Sequence, residues 1–219
     1  MGVITISRQV GSSGTKIARI VASELGLALI EKEDIEEIMQ RCGFSAFEEI
    51  YNAKPSFWAR FDEHRKLTID FLCDTLRAVV KCGDVLVLGR GGFGLFQGYT
   101  DILNVRIKAP FGLRAMRKQQ EYGGSEREGK KILEHVDQVR TSFVTNDLGF
   151  DLEDSASFDV VLDTGIVAPE EAAAIIINAY RYLAQNPRID ALHTRADLQV
   201  SEELAEVVKE VVAAKRTTG

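Results

Sequence analysis

Apolar residues along this chain follow two patterns in turn: short continuous runs, and longer stretches where they return at helical spacing. Val3, Ile4 and Ile6 open the first run, as expected for a strand covered on both faces. Ile17, Ala18, Ile20, Val21 and Leu25 then repeat with a helical period, and Gly26 is placed to end that helix. Residues 27–30 predict a second short strand. Residues 31–41 predict an acidic helix with Ile35, Ile38 and Met39 facing inward, broken at Cys42-Gly43. Residues 44–53 read as a short helical piece ended by Pro55. Residues 57–81 read as a long helix on Phe57, Phe61, Thr68, Leu72, Leu76 and Val79.

Residues 84–89 (DVLVLG), 102–109 (ILNVRIKA) and 158–164 (FDVVLDT) complete a set of five predicted strands. Pro110 suits the first turn of a helix that Gly123-Gly124 ends. Ser125 and Glu128 have capping-box spacing and open another helix, with Ile132, Val136, Val139, Phe143 and Val144 as its core face. Pro169 starts a helix running to about Gln185, which Asn186-Pro187 breaks. Residues 188–198 are polar and irregular. Ser201 is then placed to cap a final helix striped by Leu204, Val207, Val208, Val211 and Val212. Strands alternating with helices predict an α/β fold. The expected division is one α/β domain over residues 1–186 and a C-terminal extension over 187–219. The apolar stripe of the extension must bury against the body or against another subunit, which leaves a homodimer through this helix open.

Composition narrows the function classes. The 45% hydrophobic fraction supports a full core. A net charge of −6 argues against a broad nucleic-acid-binding face. No apolar run approaches membrane-spanning length, and the first strand begins with no signal peptide ahead of it, so a cytoplasmic protein is expected. Cys42, Cys73 and Cys82 lack CxxC spacing and read as inert thiols in a reducing compartment. His64, His135 and His193 form no ligand pair, and no repeat is present.

The candidate chemistry concentrates where predicted strands end. Residues 8–15 supply two glycines and the hydroxyls of Ser12, Ser13 and Thr15 between a strand and a helix N-terminus. Unpaired N–H groups there, with the helix dipole behind them, make an anion site whose implied ligand is a phosphate. An ordinary strand-to-helix turn is the alternative. Against G-x-x-x-x-G-K-[ST], the first glycine position holds Arg8, the second Ser13 and the lysine position Gly14; only Thr15 matches, and Lys16 lies two places beyond the expected lysine. Arg90, in Arg90-Gly91-Gly92 at the end of the third strand, either forks onto a phosphate or pairs with a carboxylate. Asp137 and Arg140 share one side of a helix and would otherwise be a plain i,i+3 ion pair. Arg60, Arg65 and Lys66 read first as solvated surface. Asp163 and Thr164 fall at the ligand side of the sheet.

The order of these pieces resembles the cytidylate kinase-like proteins, relatives of bacterial cytidylate kinase within the P-loop nucleoside monophosphate kinases. The resemblance spans roughly residues 3–180 and rests on ITISRQVGSSG, on VLGRGG, on A-P-x-x-x-R-x-x-R at residues 109–117 and on D-x-x-R at 137–140. It implies a five-stranded parallel sheet with helices on both faces. A helical monophosphate-binding insert would follow the second strand, and a lid would lie near residues 114–140. It implies transfer of the ATP γ-phosphoryl to a nucleoside monophosphate, CMP or dCMP first, with Mg²⁺. By position, Arg8, Gly11, Ser12, Ser13, Gly14, Thr15 and Lys16 would hold the ATP phosphates, with Thr15 toward the metal. Arg90, Asp137 and Arg140 would hold the acceptor. Lys16, Arg114, Arg117 and Arg140 would bring catalytic charge. Three departures accompany the resemblance: Gly14 stands for the loop lysine, Gly91 for an aspartate, and Lys32 and Glu37 for a serine and an arginine of the acceptor site. Lys16 or Arg8 would supply the missing loop charge. The readings are therefore a working monophosphate kinase, a nucleotide-binding regulatory or sensor protein with little turnover, or a kinase of another small acceptor.

Overall fold

The computed structural model describes residues 2–45, 62–123, 125–186 and 193–218. Most of the helical piece expected over 44–53 lies outside these residues, as do Pro55, Phe57, Arg60, Phe61, Gly124 and Pro187. The elements run β1 (Val3–Arg8), α1 (Gly14–Leu25), β2 (Ala28–Ile30), α2 (Lys32–Arg41), α3 (Glu63–Cys82), β3 (Val85–Leu88), α4 (Gly92–Leu95), β4 (Ile102–Lys108), α5 (Phe111–Tyr122), α6 (Glu126–Ser142), β5 (Val160–Asp163), α7 (Pro169–Gln185) and α8 (Glu202–Thr218). The five strands form one parallel sheet in the order β2-β3-β1-β4-β5. β1 is central, so its C-terminal end meets those of β3 and β4. That is where open parallel sheets collect ligands.

Alternation along each strand divides the core between two faces. Ile4, Ile6, Leu86, Leu88, Val105 and Ile107 join Ile17, Val21, Ala172 and Ile176 of α1 and α7. Val3, Val85, Val87 and Ile102 join Ile35, Ile38, Leu72, Leu76 and Val79 of α2 and α3 on the other face. Leu204, Val208, Val211 and Val212 of α8 belong to that second cluster and are buried there. The stripe that left a dimer open is therefore covered by the chain's own α3, α2 and β2. Thr5 and Asn104 are buried polar residues on that face: Thr5 Oγ1 donates to Asn104 Oδ1 at 2.6 Å, and Asn104 Nδ2 donates to the Phe96 carbonyl at 3.0 Å. Among the described residues no helix is long and apolar enough to cross a membrane.

Three expectations are corrected. Ile132 is 51% exposed, and its neighbour Leu133 is the buried one. Gly129, Leu133 and Asp137 lie four apart, and this row faces α5: Gly129 packs beside Ala115, and Asp137 pairs with Arg114. Arg65 is buried: its Nε and Nη2 donate to the two carboxylate oxygens of Asp147 at 2.8 and 2.7 Å, whereas Lys66 is exposed as expected. Pro110 is the residue before α5 rather than its first-turn member.

The cysteines are unpaired, and burial pushes the Cys73 thiol up to about 11. At pH 8 its thiolate fraction is then about 0.1%. Alkylation with iodoacetamide, followed by peptide mass spectrometry, is expected to label exposed Cys82 while Cys73 reacts only after denaturation. Equal labelling rates would contradict this.

Candidate active site

The segment between β1 and α1 is held by its carbonyl groups. Ser12 Oγ donates to the Gln9 carbonyl at 2.8 Å. Arg114 Nη1 donates to the Val10 carbonyl at 3.2 Å, Arg117 Nη1 to the Gly11 carbonyl at 3.2 Å, and Thr164 Oγ1 to the Ser12 carbonyl at 2.9 Å. Across a planar trans peptide, the N–H of the next residue points opposite to each carbonyl. Pulling the carbonyls of Val10, Gly11 and Ser12 into the protein therefore turns the following amides outward. Ser12 N–H folds back to Gln9, which leaves the amides of Gly11 and Ser13 facing out. The first turn of α1 continues the pattern. Ser13 makes no side-chain cap, and Ile17 N–H on the Ser13 carbonyl is the first helical bond, so the amides ahead of it lack helical acceptors.

The turn depends on two glycines. Gly11 has φ +76°, and a Cβ there would lie 2.8 Å from the Arg114 carbonyl oxygen. A Cβ on Gly14 would lie 2.5 Å from Arg8 Cβ. The stem of Arg8 thus occupies the space into which a lysine at position 14 would start. The two departures from the phosphate-loop pattern, arginine at 8 and glycine at 14, are sterically linked. Gly11→Ala is expected to weaken nucleotide binding at least tenfold by calorimetry and to lower the melting temperature, since positive φ and a backbone contact both oppose it. Unchanged affinity would show that the turn does not hold the ligand.

A cleft of about 790 Å³ opens on this turn, lined by Gly11, Ser13, Gly14, Thr15 and Lys16 and by Arg8, Arg19, Arg117, Lys118 and Arg140, with Glu121 as its carboxylate. Two further cavities, of about 130 and 330 Å³, adjoin it, and both are lined by Arg8, Arg90 and Arg140. The larger of these also has Lys32, His135, Val136 and Val139; the smaller has Ser7, Arg106, Asp137 and Glu153. Arg8 and Arg140 line all three spaces, and Arg140 Nη1 donates to the Arg8 carbonyl at 3.3 Å.

The sequence-predicted residues separate into groups. Arg8, Gly11, Ser13, Gly14, Thr15, Lys16, Arg117 and Arg140 meet at the large cleft. Arg90 and Asp137 meet Arg140 at the smallest cavity. Ser12 is fully buried beneath the turn. Arg114 is also buried and does not line the cleft; it donates to the Ala109 and Val10 carbonyls and to Asp137 Oδ2 at 2.7 Å. Asp137 therefore pairs with Arg114 rather than with Arg140 three residues on. Lys16 is 59% exposed and its ammonium lies 2.6 Å from Glu170 on α7. That hydrogen bond holds the Glu170 carboxyl below its ordinary range. Arg90, at φ +58°, takes the carboxylate alternative through Glu36 at 3.0 Å while still lining both small cavities. Of the residues in the altered acceptor positions, Lys32 reaches the cavity, whereas exposed Glu37 turns to Arg41 at 3.8 Å. At Gly91 a side chain would meet Leu148, whose methyl group packs over the turn.

Arg106 was missed by sequence reasoning. It is an arginine inside the alternating strand ILNVRIKA, which reads as an outward polar position, yet it is buried at the ligand end of β4. The structure's strand register, which sets it beside Ser7 of the central strand, is what places it there.

The model of the cytidylate kinase-like family matches residues 3–166.

The chain belongs to the cytidylate kinase-like family.

Among its relatives, the cytidylate kinase of Pyrobaculum aerophilum is 29% identical over 81% of this chain and 92% of that protein. That of Ignicoccus hospitalis is 26% identical over 80% and 97%. An uncharacterised protein from Eubacterium ventriosum shares the fold, with a TM-score of 0.64 at 18% identity over 82% of this chain and 97% of its own. Membership in the cytidylate kinase-like family supports a nucleotide kinase, built on a five-stranded parallel sheet with a helical segment after β2 and the α5–α6 hairpin beside the cleft.

Proposed function

We propose that this chain transfers the γ-phosphoryl group of ATP to a nucleoside monophosphate, with CMP or dCMP as acceptor. The observation that carries the reading is the position of Arg8 and Arg140, which line both the cleft at the phosphate-loop turn and the two cavities beyond it. A donor and an acceptor held on either side would share these two cations at the point of transfer. An acceptor phosphate oxygen attacks the γ-phosphorus, the bond to the β-phosphate oxygen breaks, and ADP departs with the displaced charge. Such a reaction asks the protein for positioning and positive charge rather than covalent help. The outward amides of the turn bind the donor's phosphates. Arg8 takes the place of the loop lysine, because its stem fills the space above Gly14. Arg117 and Arg114 hold the turn in shape.

Among the described residues no group of three His, Cys, Asp or Glu is placed to hold a metal. Magnesium fits here as an ion carried by the nucleotide's phosphates, with the half-buried Thr15 in the first turn of α1 as the available protein ligand. When bound it would neutralise charge between the β- and γ-phosphates.

The test is a coupled assay of ADP formation with ATP-Mg²⁺ against a panel of nucleoside monophosphates. It is run on the wild type and on Arg8→Ala, Arg90→Ala and Lys16→Ala. Turnover is expected to be fastest with CMP or dCMP and to fall by orders of magnitude in Arg8→Ala and Arg90→Ala. Lys16→Ala is expected to stay within about threefold, the scale of an exposed ion pair. One observation favours a second reading, a nucleotide sensor with little turnover: the nearest lysine in sequence to the loop position is held on Glu170 outside the turn. Nucleotide binding without ADP formation in the wild type would select it.

A further inference from the structure

The mechanism above leaves Arg106, a buried cation beside the cavities, without a task. Arg106 is 7% exposed, and its surroundings compensate its charge poorly. Nη1 donates to Ser7 Oγ at 2.9 Å, the guanidinium carbon lies 5.9 Å from the centre of the Phe158 ring, and Nη2 reaches Glu153 Oε1 only at 3.5 Å. Glu153 is itself 83% exposed, so its carboxylate is well solvated and holds the guanidinium weakly. Burial lowers the arginine's affinity for its own proton, with Glu153 and Asp137 opposing that effect and Arg114 and Arg140 adding to it. A guanidinium keeps its charge even so, and a buried charge demands a counterion.

The cavity beside Arg106 has the chemistry to supply one. Four guanidiniums line it, those of Arg8, Arg90, Arg106 and Arg140, against the carboxylates of Asp137 and Glu153. Asp137 is already committed to Arg114 at 2.7 Å. The volume of this cavity, about 130 Å³, suits a phosphate group. The adjoining 330 Å³ cavity, with Val136 and Val139 on its wall, has room for the rest of a monophosphate.

We propose that Arg106 binds the phosphate of the acceptor, a dianionic phosphate monoester, and that this phosphate displaces Glu153 as its partner. The proposal rests on the kinase reading for the acceptor's identity. It assigns to β4 the phosphate contact that the altered positions on α2 cannot make, since Glu37 points away and Lys32 lies at the second cavity.

Calorimetry with CMP, cytidine and inorganic phosphate tests it on the wild type, Arg106→Gln, Arg106→Lys and Glu153→Gln. Arg106→Gln is expected to weaken CMP and phosphate at least tenfold and to leave cytidine within twofold. Arg106→Lys should recover part of the loss. Glu153→Gln, a surface change that the fold tolerates, should tighten phosphate and CMP two- to fivefold, because it removes a competing anion. A merely structural arginine would weaken CMP and cytidine by the same factor, and that result overturns the proposal. So does a Glu153→Gln protein with unchanged or weaker phosphate binding, or a wild type that binds no phosphate at all. Arg106-dependent phosphate binding with no ADP formed from any monophosphate would reject the kinase reading alone. ADP formation in Arg106→Gln with an unchanged KM for CMP would reject this inference alone.

Discussion

Arg140→Ala is expected to lower kcat by about 10²–10³-fold, the scale of losing one preorganised charge at a transferring group, while ATP and monophosphate dissociation constants change less than tenfold. The split follows from where the side chain sits. Arg140 projects from the C-terminal part of α6, donates to the Arg8 carbonyl, and borders the cleft at the turn and both smaller cavities. A cation between two bound phosphates gains most when the transferring group lies midway, so its loss raises the barrier more than it weakens either ground state. Arg140→Lys should recover little, since an ammonium cannot span both sides with a planar fork. Steady-state kinetics with the best monophosphate, beside calorimetry for each ligand, separates the terms. A kcat within threefold of the wild type would remove Arg140 from the transfer step.

The second large effect concerns stability. Arg65→Ala is expected to destabilise the fold by about 3–5 kcal/mol, because it strands Asp147 as a buried, unpaired carboxylate. For a chain of this size that is a fall of about 6–20 °C in melting temperature. The pair is bidentate, and both side chains are more than nine-tenths buried. It fastens the start of α3 to the π turn over Phe143–Asp147 that continues α6. Arg65→Met with Asp147→Leu should recover most of the loss, since replacing both charges leaves none stranded. Because water is excluded there, 0.5 M salt should change the penalty little. Thermal melts of the two single variants and the double variant decide this. A double variant no better than the singles would mean that the charges themselves are needed.

Much of this architecture is written locally in the chain. The five strands and most helix ends came from apolar runs and end signals: Gly26 closes α1, Ser125 with Glu128 opens α6, and Pro169 starts α7. The turn between β1 and α1 was legible for the same reason, because glycines and small residues after an apolar run mark a tight passage from strand to helix. Partners distant in sequence were not legible. Arg65 read as surface because the residue that buries it lies 82 positions away. Arg114 read as a phosphate-facing cation, but its place in the row that packs against α6 turns it to Asp137 and the Val10 carbonyl. Ile132 and Leu133 both fit a helical period, and only the neighbouring helix decides which is covered. Arg106 was hidden by alternation: at the end of a central strand, a position counted as outward faces the ligand instead of solvent.

The burial of α8 has a consequence for how the protein is made. Leu204, Val208, Val211 and Val212 of α8 cover part of the apolar face of α3, beside α2, and they are synthesised long after it. A nascent chain therefore carries part of that face open until α8 has been made, and a stop after α7 would release a fragment with bare apolar surface suited to chaperones and proteases.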